Sequence, residues 1–216
     1  EAGILNVRLL VNSIGDKECR PSYRRELLSY YRKRQEDLCK DCKARIKTNP
    51  LRLLDCKDSK CQPIKQGAPQ SVSYLCDSCK KHFKEVLEYL ESLGIEYVID
   101  STLVRGLDYY TRTVFEIQEW EAPTASTSEA PTAPLSLASG GRYDYLARSL
   151  GSKKDVPAVG AAIGVDRVVA REDRAELIPR LVKKPKVYFI QLGFDAKLKS
   201  ISVIEILRKA RIPVAQ

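Results

Sequence analysis

The spacing of hydrophobic residues predicts alternating β-strands and helices along the chain. Residues 3–14 cluster and alternate Ile, Leu and Val, which predicts a strand that ends at a Gly-Asp pair. A helix is expected next, because Pro21 suits a first helical turn and apolar residues recur over 27–31. Residues 83–94 place their apolar side chains on one helical face and end at a glycine, so they predict an amphipathic helix. A short strand is predicted over 95–99.

Residues 103–117, LVRGLDYYTRTVFEI, predict a strand that forms the floor of a small-molecule site. The segment places Arg105, Tyr109 and Tyr110 among several β-branched residues. Gly106 indicates a bulge or a close backbone approach beside the arginine. A half-buried antiparallel strand with a surface arginine would also contain an Arg-Gly pair. The density of hydrogen-bonding aromatic residues beside a cation favours the binding site.

The second half of the chain begins with a segment of low complexity. The pentamer EAPTA occurs at 121–125 and again at 129–133, and such Pro-, Ala- and Thr-rich sequence predicts a loop without a packed core. The GGRYD sequence at 140–144 is typical of a tight turn, and its glycines would let a ligand or another strand approach the backbone. Residues 156–170 predict a strand that enters a helix, where backbone N–H groups could bind phosphate. Residues 186–216 predict a strand, a helix and the start of another strand.

Composition limits the class of protein. The chain has 216 residues, 44% of them hydrophobic, which is enough for a real core in one or two domains. Its 37 basic and 28 acidic residues give a net charge of +9, which is compatible with a polyanionic partner. The sequence contains no apolar run of about eighteen residues and no signal-peptide pattern at its start, so we expect no membrane span and no secretion signal. It contains no methionine and starts directly on a strand pattern, so we expect a fragment.

The cysteines are the strongest anomaly of composition. Six of the seven form three closely spaced pairs, and Cys19 stands apart. A thiolate pair two residues apart can bind one tetrahedral ion from a tight turn, and two such pairs complete its shell. Disulfides are the alternative, but the cysteine count is odd and nothing indicates an oxidising compartment. The spacing therefore favours a structural Zn²⁺ site with Cys39, Cys42, Cys76 and Cys79 as ligands, and with Cys56 and Cys61 as the rival pair.

Five stretches, in this order, resemble histidyl-tRNA synthetases. They are NSIGDKECRPSYR at 12–24, NPLRLLDCK at 49–57, LVRGLDYYTRTVFE, GGRYDYL and PAVGAAIGVDRV. The third is similar to the family's histidine-specific motif, and the last to motif 3 of the class II aminoacyl-tRNA synthetases. The resemblance covers nearly the whole chain and implies an α+β fold with a class II antiparallel sheet, its helices and a mostly helical insertion domain. The implied parts are 1–17 (catalytic domain), 18–82 (insertion domain), 83–175 (catalytic domain) and 176–216 (linker and start of an α/β anticodon-binding domain).

The resemblance also implies a reaction, in which the histidine carboxylate attacks the α-phosphorus of ATP. The products are histidyl-adenylate and pyrophosphate, and histidine is then transferred to tRNA(His). Arg105 matches the catalytic arginine near the histidine carboxylate and the α-phosphate. Arg167 matches the motif 3 arginine at the γ-phosphate, and Gly164 belongs to the same ATP site. The implied histidine pocket comprises Arg105, Tyr109, Tyr110, Gly140, Gly141 and Tyr143.

The sequence also departs from the family pattern. Asp166 replaces the usual Glu of motif 3, and Ser139 replaces a third glycine. Motifs 1 and 2 would precede Glu1, so we expect a chain truncated at both ends and inactive alone. The resemblance implies a cytoplasmic homodimer that uses ATP and Mg²⁺, with tRNA phosphates as partners for the net positive charge.

Two alternatives from other classes remain. One is a synthetase-like regulatory subunit of histidine biosynthesis that keeps the fold without the chemistry. The intact Arg105, Tyr109, Tyr110 and Arg167 argue against it. The other is a zinc-stabilised tRNA-binding module, which would bind tRNA without binding ATP.

Overall fold

A five-stranded sheet lies at the centre of the computed structural model, which describes residues 6–120, 135–169 and 186–215. The EAPTA repeats lie outside the described residues. The strand order is β2-β1-β3-β4-β5, and every neighbouring pair is antiparallel except β1 and β2. The strands are β1 (Val7–Ser13), β2 (Tyr97–Ile99), β3 (Thr111–Glu119), β4 (Ser136–Tyr143) and β5 (Ala158–Ile163).

The α+β prediction is confirmed, although the sheet is mixed and not wholly antiparallel. A parallel pair of strands needs a long crossover connection. Between β1 and β2 this connection is a complete helical lobe, which comprises residues 18–82 and continues into the following helix. Residues 18–82 contain helices and turns but no strand, as the resemblance implied.

The lobe contains α1 (Arg20–Arg32), α2 (Lys40–Thr48), α3 (Gln62–Gln66) and the start of α4 (Asp77–Ser92). Pro21 lies in the first turn of α1, as predicted. The core side of α1 is fully buried through Tyr23, Leu27 and Tyr31. These side chains belong to one hydrophobic core with residues of β1 and β3, so the lobe packs directly on the sheet. Four short 3-10 helices complete the lobe: Gln35–Asp37, Pro50–Leu53, Ser59–Cys61 and Ser71–Tyr74.

The strand predicted over 103–117 is only half correct. β3 begins at Thr111, and residues 103–110 form an irregular connection. Its backbone is held by side chains and not by a neighbouring strand: the Asn12 amide donates to the Leu103 carbonyl at 2.9 Å. Buried backbone groups must be paired, and side chains that pair them allow a non-regular path.

The glycines at 140 and 141 lie within β4, so the prediction of a tight turn at this point is wrong. The prediction of a close strand approach is confirmed. A methyl group added at Gly140 would overlap the Gly160 carbonyl oxygen and lie 2.8 Å from Ala161 Cα in β5. The missing side chain therefore lets β4 and β5 pair closely.

The remaining elements follow the predicted order. The short helices α5 (Leu146–Ser149) and α6 (Val165–Val169) flank β5, and α6 starts directly after it. A parallel pair, β6 (Val187–Tyr188) and β7 (Val214–Ala215), is joined by α7 (Phe194–Lys209), which confirms the strand-helix-strand prediction. Within the part of the chain that the structure describes, no helix is both long and apolar enough to span a membrane.

Candidate active site

Arg105 lies in the irregular connection before β3, and its side chain bridges two strands. Its guanidinium forms an ion pair with Glu116 in β3 at 3.0 Å and donates to the Ser139 hydroxyl in β4 at 2.6 Å. Gln118 donates to the other Glu116 oxygen at 2.8 Å, which fixes the carboxylate. The Arg105 side chain is 24% exposed, so the cation is held in one position while part of it remains accessible.

Three tyrosines form a ring cluster near this arginine. The Tyr109 ring centroid lies 4.6 Å from that of Tyr110 and 5.5 Å from that of Tyr143, and Tyr110 and Tyr143 are 6.1 Å apart. Two glycines leave room for the rings. A Cβ at Gly141 would lie 2.8 Å from Tyr110 Cδ1, and one at Gly160 would lie 2.7 Å from the Tyr143 hydroxyl. The structure therefore brings together the tyrosines and Gly141 of the predicted histidine pocket.

The environment of Tyr110 raises the pKa of its hydroxyl. Burial raises the pKa of its hydroxyl, as does the neighbouring Tyr109, while Arg105 acts in the opposite direction. The net pKa lies above the ordinary value, so Tyr110 remains a neutral phenol near pH 7. A neutral phenol can donate one hydrogen bond and accept another.

The helical lobe holds the tyrosine connection, which is the irregular segment 103–110 that contains Tyr109 and Tyr110. The Arg20 guanidinium donates to the backbone carbonyls of Tyr110 and Asp108. Asn49 donates to the Asp108 carboxylate at 2.5 Å. Sequence reasoning did not assign these contacts, nor Glu116 and Ser139 as partners of Arg105. The sequence could have indicated a role for Arg20 and Asn49, because they belong to two of the stretches that resemble the family.

Gly164 and Arg167 lie at the junction of β5 and α6. The Gly164 backbone N–H donates to the Leu137 carbonyl at 2.8 Å, and the exposed Arg167 side chain donates to the Ser136 carbonyl at 2.5 Å. A Cβ at Gly164 would lie 3.0 Å from Arg167 Cδ. Arg167 and Arg105 therefore both contact β4, at Ser136 and at Ser139 respectively.

The cysteines group differently from the predicted set. Cys39 and Cys42 lie at the start of α2, whereas Cys76 and Cys79 lie at the start of α4 and belong to a separate cluster. The prediction of one shell from these four residues is therefore wrong, because each pair meets a different partner segment. The ligand atoms lie within 4.8 Å of one another in two groups: Cys39, Cys42, Cys56 and Cys61, and Asp16, Cys19, Cys76 and Cys79.

Both cysteine groups have the donor chemistry of a metal site. Burial raises the pKa of Cys42 and of Cys79, which lie inside their helices. The backbone N–H of Cys42 lowers the pKa of Cys39, and that of Cys79 lowers the pKa of Cys76. Each pair therefore combines one buried thiol of raised pKa with one thiol of lowered pKa. The thiolate is the form of cysteine that binds Zn²⁺.

Comparison with known proteins agrees with the geometry. Residues 18–168 match the family model described as histidyl-tRNA synthetase. A histidine–tRNA ligase of Halothermothrix orenii is 41% identical over 97% of this chain and 48% of the relative. A histidine–tRNA ligase of Bacillus subtilis is 40% identical over 98% of this chain and 48% of the relative. The chain thus spans about half the length of these curated relatives.

Among solved structures, the crystal structure of apo S. aureus histidyl-tRNA synthetase has a TM-score of 0.57 and 26% identity to this chain. The match covers 99% of this chain and 50% of that protein. The family model covers well over half of the sequence, and the solved structure shares the fold of nearly all of it. The chain therefore belongs to the histidyl-tRNA synthetase family.

Proposed function

We propose that this chain forms the histidine-activating part of a histidine–tRNA ligase. The complete enzyme would use ATP to convert histidine to histidyl-adenylate and then transfer histidine to tRNA(His). The observation that carries the proposal is the fixed Arg105 cation beside the cluster of Tyr109, Tyr110 and Tyr143. Family membership supports the reaction, and the position of Arg105 beside the tyrosines supports this location for it.

Arg105 is the proposed catalytic residue of the activation step. An oxygen of the histidine carboxylate attacks the α-phosphorus, a new P–O bond forms, and the bond to the leaving pyrophosphate breaks. Negative charge grows on the α-phosphate oxygens, and a preorganised cation stabilises it most effectively. The contacts of Arg105 with Glu116 and Ser139 hold the guanidinium in place before substrate arrives.

The tyrosine cluster is the proposed histidine pocket. An imidazole ring offers one donor and one acceptor nitrogen, and phenol hydroxyls can pair with both. The Tyr110 hydroxyl, whose pKa is raised by burial, keeps its proton near pH 7 and can donate to an imidazole nitrogen. A site that pairs with both nitrogens discriminates strongly against side chains that leave its polar groups unpaired. In this proposal Gly140 and Gly141 keep the floor of the pocket free of side chains.

Gly164 and Arg167 would bind the ATP triphosphate, with Arg167 at the γ-phosphate. The Arg167 side chain is exposed and donates to the backbone carbonyl of Ser136, so its charge is accessible to a phosphate. Mg²⁺ would enter bound to the phosphates and neutralise part of their charge. The Glu116 carboxylate is engaged by Arg105 and Gln118, so we do not assign it as a metal ligand.

The proposed partners extend beyond the small substrates. The net charge of +9 suits contact with tRNA phosphates. We place the helical lobe, residues 18–82, at the tRNA acceptor stem and residues 186–215 in the anticodon-binding domain. A homodimer in the cytoplasm completes the proposal.

The test is substitution of Arg105 by alanine in a polypeptide of family length that contains this sequence. We expect Arg105→Ala to lower histidine-dependent adenylate formation by at least about 10²-fold, the typical effect of removing one preorganised charge-stabilising group. The matched control is Arg148→Ala, because Arg148 forms a surface ion pair with Asp155. Near-normal turnover in folded Arg105→Ala would remove Arg105 from the site and contradict the proposal.

A further inference from the structure

Two Cys-x2-Cys pairs have the same local structure at the starts of two different helices. Cys39 precedes α2 with φ −65° and ψ 163°, and Cys76 precedes α4 with φ −69° and ψ 165°. The second cysteine of each pair, Cys42 or Cys79, lies in the first helical turn and is fully buried. In this geometry the two sulfurs of each pair lie close together beside the helix start, so each pair could supply two ligands of a tetrahedral site.

Each half-site is completed by a different segment. The pair at α2 meets two cysteines of the segment 56–61, which ends in the 3-10 helix Ser59–Cys61. The pair at α4 meets the segment that joins β1 to α1. These groups use all seven cysteines of the chain, with one aspartate as the eighth ligand. The odd cysteine count, which argues against complete disulfide pairing, is thereby explained. The completing residues are Cys56 and Cys61 in the first group, and Asp16 and Cys19 in the second.

The distances fit ligands that share one ion. Cys39 Sγ and Cys56 Sγ are 3.8 Å apart, whereas a disulfide would require about 2.05 Å. Two sulfurs on a tetrahedral zinc with Zn–S near 2.3 Å lie ~3.8 Å apart. Asp16 Oδ1 and Cys19 Sγ are 3.4 Å apart, close to the ~3.5 Å expected for an oxygen and a sulfur on one zinc.

Backbone N–H donors contact both groups, and a side-chain donor also contacts the second group. The Cys39 N–H donates to Cys61 Sγ at 3.3 Å, and the Cys76 N–H donates to Cys19 Sγ at 3.0 Å. Asp16 accepts hydrogen bonds from backbone N–H groups, and its other oxygen lies 3.6 Å from the Arg112 guanidinium. Such outer contacts orient ligands and support their negative charge.

We propose that this chain binds two structural zinc ions. The lobe site has four cysteine ligands and joins α2 to the segment 56–61. The junction site has three cysteines and Asp16, and it fastens the starts of α1 and α4 to the end of β1. The lobe site ligands are Cys39, Cys42, Cys56 and Cys61, and the junction site ligands are Asp16, Cys19, Cys76 and Cys79.

The junction site also holds the tyrosine connection in position. This part of the inference rests on the function proposed above. Arg20, next to the ligand Cys19, donates to the Tyr110 and Asp108 carbonyls. Gly15, next to the ligand Asp16, accepts a backbone hydrogen bond from Arg112 at 2.8 Å. Zinc at the junction would therefore fix both ends of the segment that positions Tyr109 and Tyr110.

The first experiment measures the metal content of this chain by mass spectrometry after purification without chelators. We expect two zinc ions per chain, and one in each of Cys61→Ser, Cys19→Ser and Asp16→Asn. The matched controls are Asp41→Asn and Asp77→Asn, which alter exposed carboxylates between the paired cysteines and should retain both ions. One zinc or none in the unaltered chain would overturn the proposal.

A second measurement needs no variant and so does not depend on the folding of altered chains. Zinc-edge X-ray absorption of the unaltered protein should show mainly sulfur ligands near 2.3 Å with a minority of oxygen near 2.0–2.2 Å. After chelation and denaturation without reductant, all seven thiols should react with a thiol reagent. A shell without sulfur, or thiols missing as disulfides, would contradict the proposal.

The role of the junction site is tested in a polypeptide of family length. We expect Cys19→Ser to raise the KM for histidine by roughly 10-fold or more, and to raise it further than Cys61→Ser does. Equal KM values in the two variants, with one zinc each, would overturn the positioning role. Absence of histidine activation in the unaltered polypeptide would instead reject the proposed function. The measured metal content would still show whether the two zinc sites exist.

Discussion

The position of Arg105 is determined by two side chains on adjacent strands and not by its own segment. Glu116 and Ser139 lie on one face of the sheet, in β3 and β4, and both contact the guanidinium. The motif around Arg105 predicted that an arginine and tyrosines share a site. It could not predict these partners, because the pairing of β3 with β4 brings together residues that are distant in sequence.

The first prediction at this scale concerns the hydroxyl groups of the tyrosine cluster. In a polypeptide of family length, Tyr110→Phe and Tyr143→Phe should each raise the KM for histidine by about 5-fold or more. The reason is that loss of one partner of a buried hydrogen bond costs ~1–3 kcal/mol. Tyr97→Phe is the matched control, since the Tyr97 hydroxyl bonds Glu91 at the surface, at 2.8 Å. Unchanged KM values in both pocket variants would exclude these hydroxyls from histidine binding.

The second residue-scale prediction concerns His82. Burial lowers the pKa of its imidazole, as do the charges of Arg142 and Arg112, and Arg142 Nη1 lies 3.1 Å from His82 Nε2. The folded state thus binds a proton less readily than the unfolded state, whose pKa is about 6.5. The free energy of unfolding should therefore fall as the pH decreases below about 6.5.

Substitution by glutamine isolates this effect because glutamine is neutral and can accept the same hydrogen bond. The loss of stability below pH 6.5, measured by denaturant unfolding at several pH values, should be smaller in His82→Gln than in the unaltered chain. Parallel pH profiles for the two proteins would contradict the assignment.

At the scale of elements, the glycines of β4 show where the sequence is ambiguous. A Gly-Gly pair suits both a turn and a close strand pair, and only the partner strand β5 decides between them. The same limit applies to residues 103–110, whose β-branched and aromatic residues favour a strand. Side chains from Asn12 and Arg20 hold the irregular path instead. Amphipathic helices such as α4 were predictable because their periodicity is local.

Substitution of Gly140 tests the close approach of β4 and β5. Gly140→Ala should lower the free energy of unfolding by ~1–3 kcal/mol, the typical cost of overpacking, because the added methyl would overlap the Gly160 carbonyl. Gly106→Ala is the matched control, since no atom lies within 4 Å of an added Cβ there. Denaturant unfolding of both variants gives the comparison, and equal stabilities would show that the strands have room for a side chain.

At the scale of the whole molecule, α4 links the parts of the chain. It runs through the expected boundary between residues 82 and 83, so one continuous helix leads from the helical lobe to the five-stranded sheet. Cys76 directly precedes it and Cys79 lies in its first turn. Its last turn contacts α7 through Ser92 and Ser202, whose hydroxyls are 2.7 Å apart. The order of motifs predicted the α+β fold. It did not predict the grouping of cysteines, because that depends on which helix starts the fold brings together.

The central claim is that a family-length polypeptide containing this sequence activates histidine, and the most direct measurement is amino-acid-dependent exchange of labelled pyrophosphate into ATP. We predict exchange with histidine and with no other standard amino acid. That result would also exclude a regulatory subunit or a tRNA-binding module without an active site. Failure of histidine to support exchange, in a folded protein that binds ATP, would contradict the account.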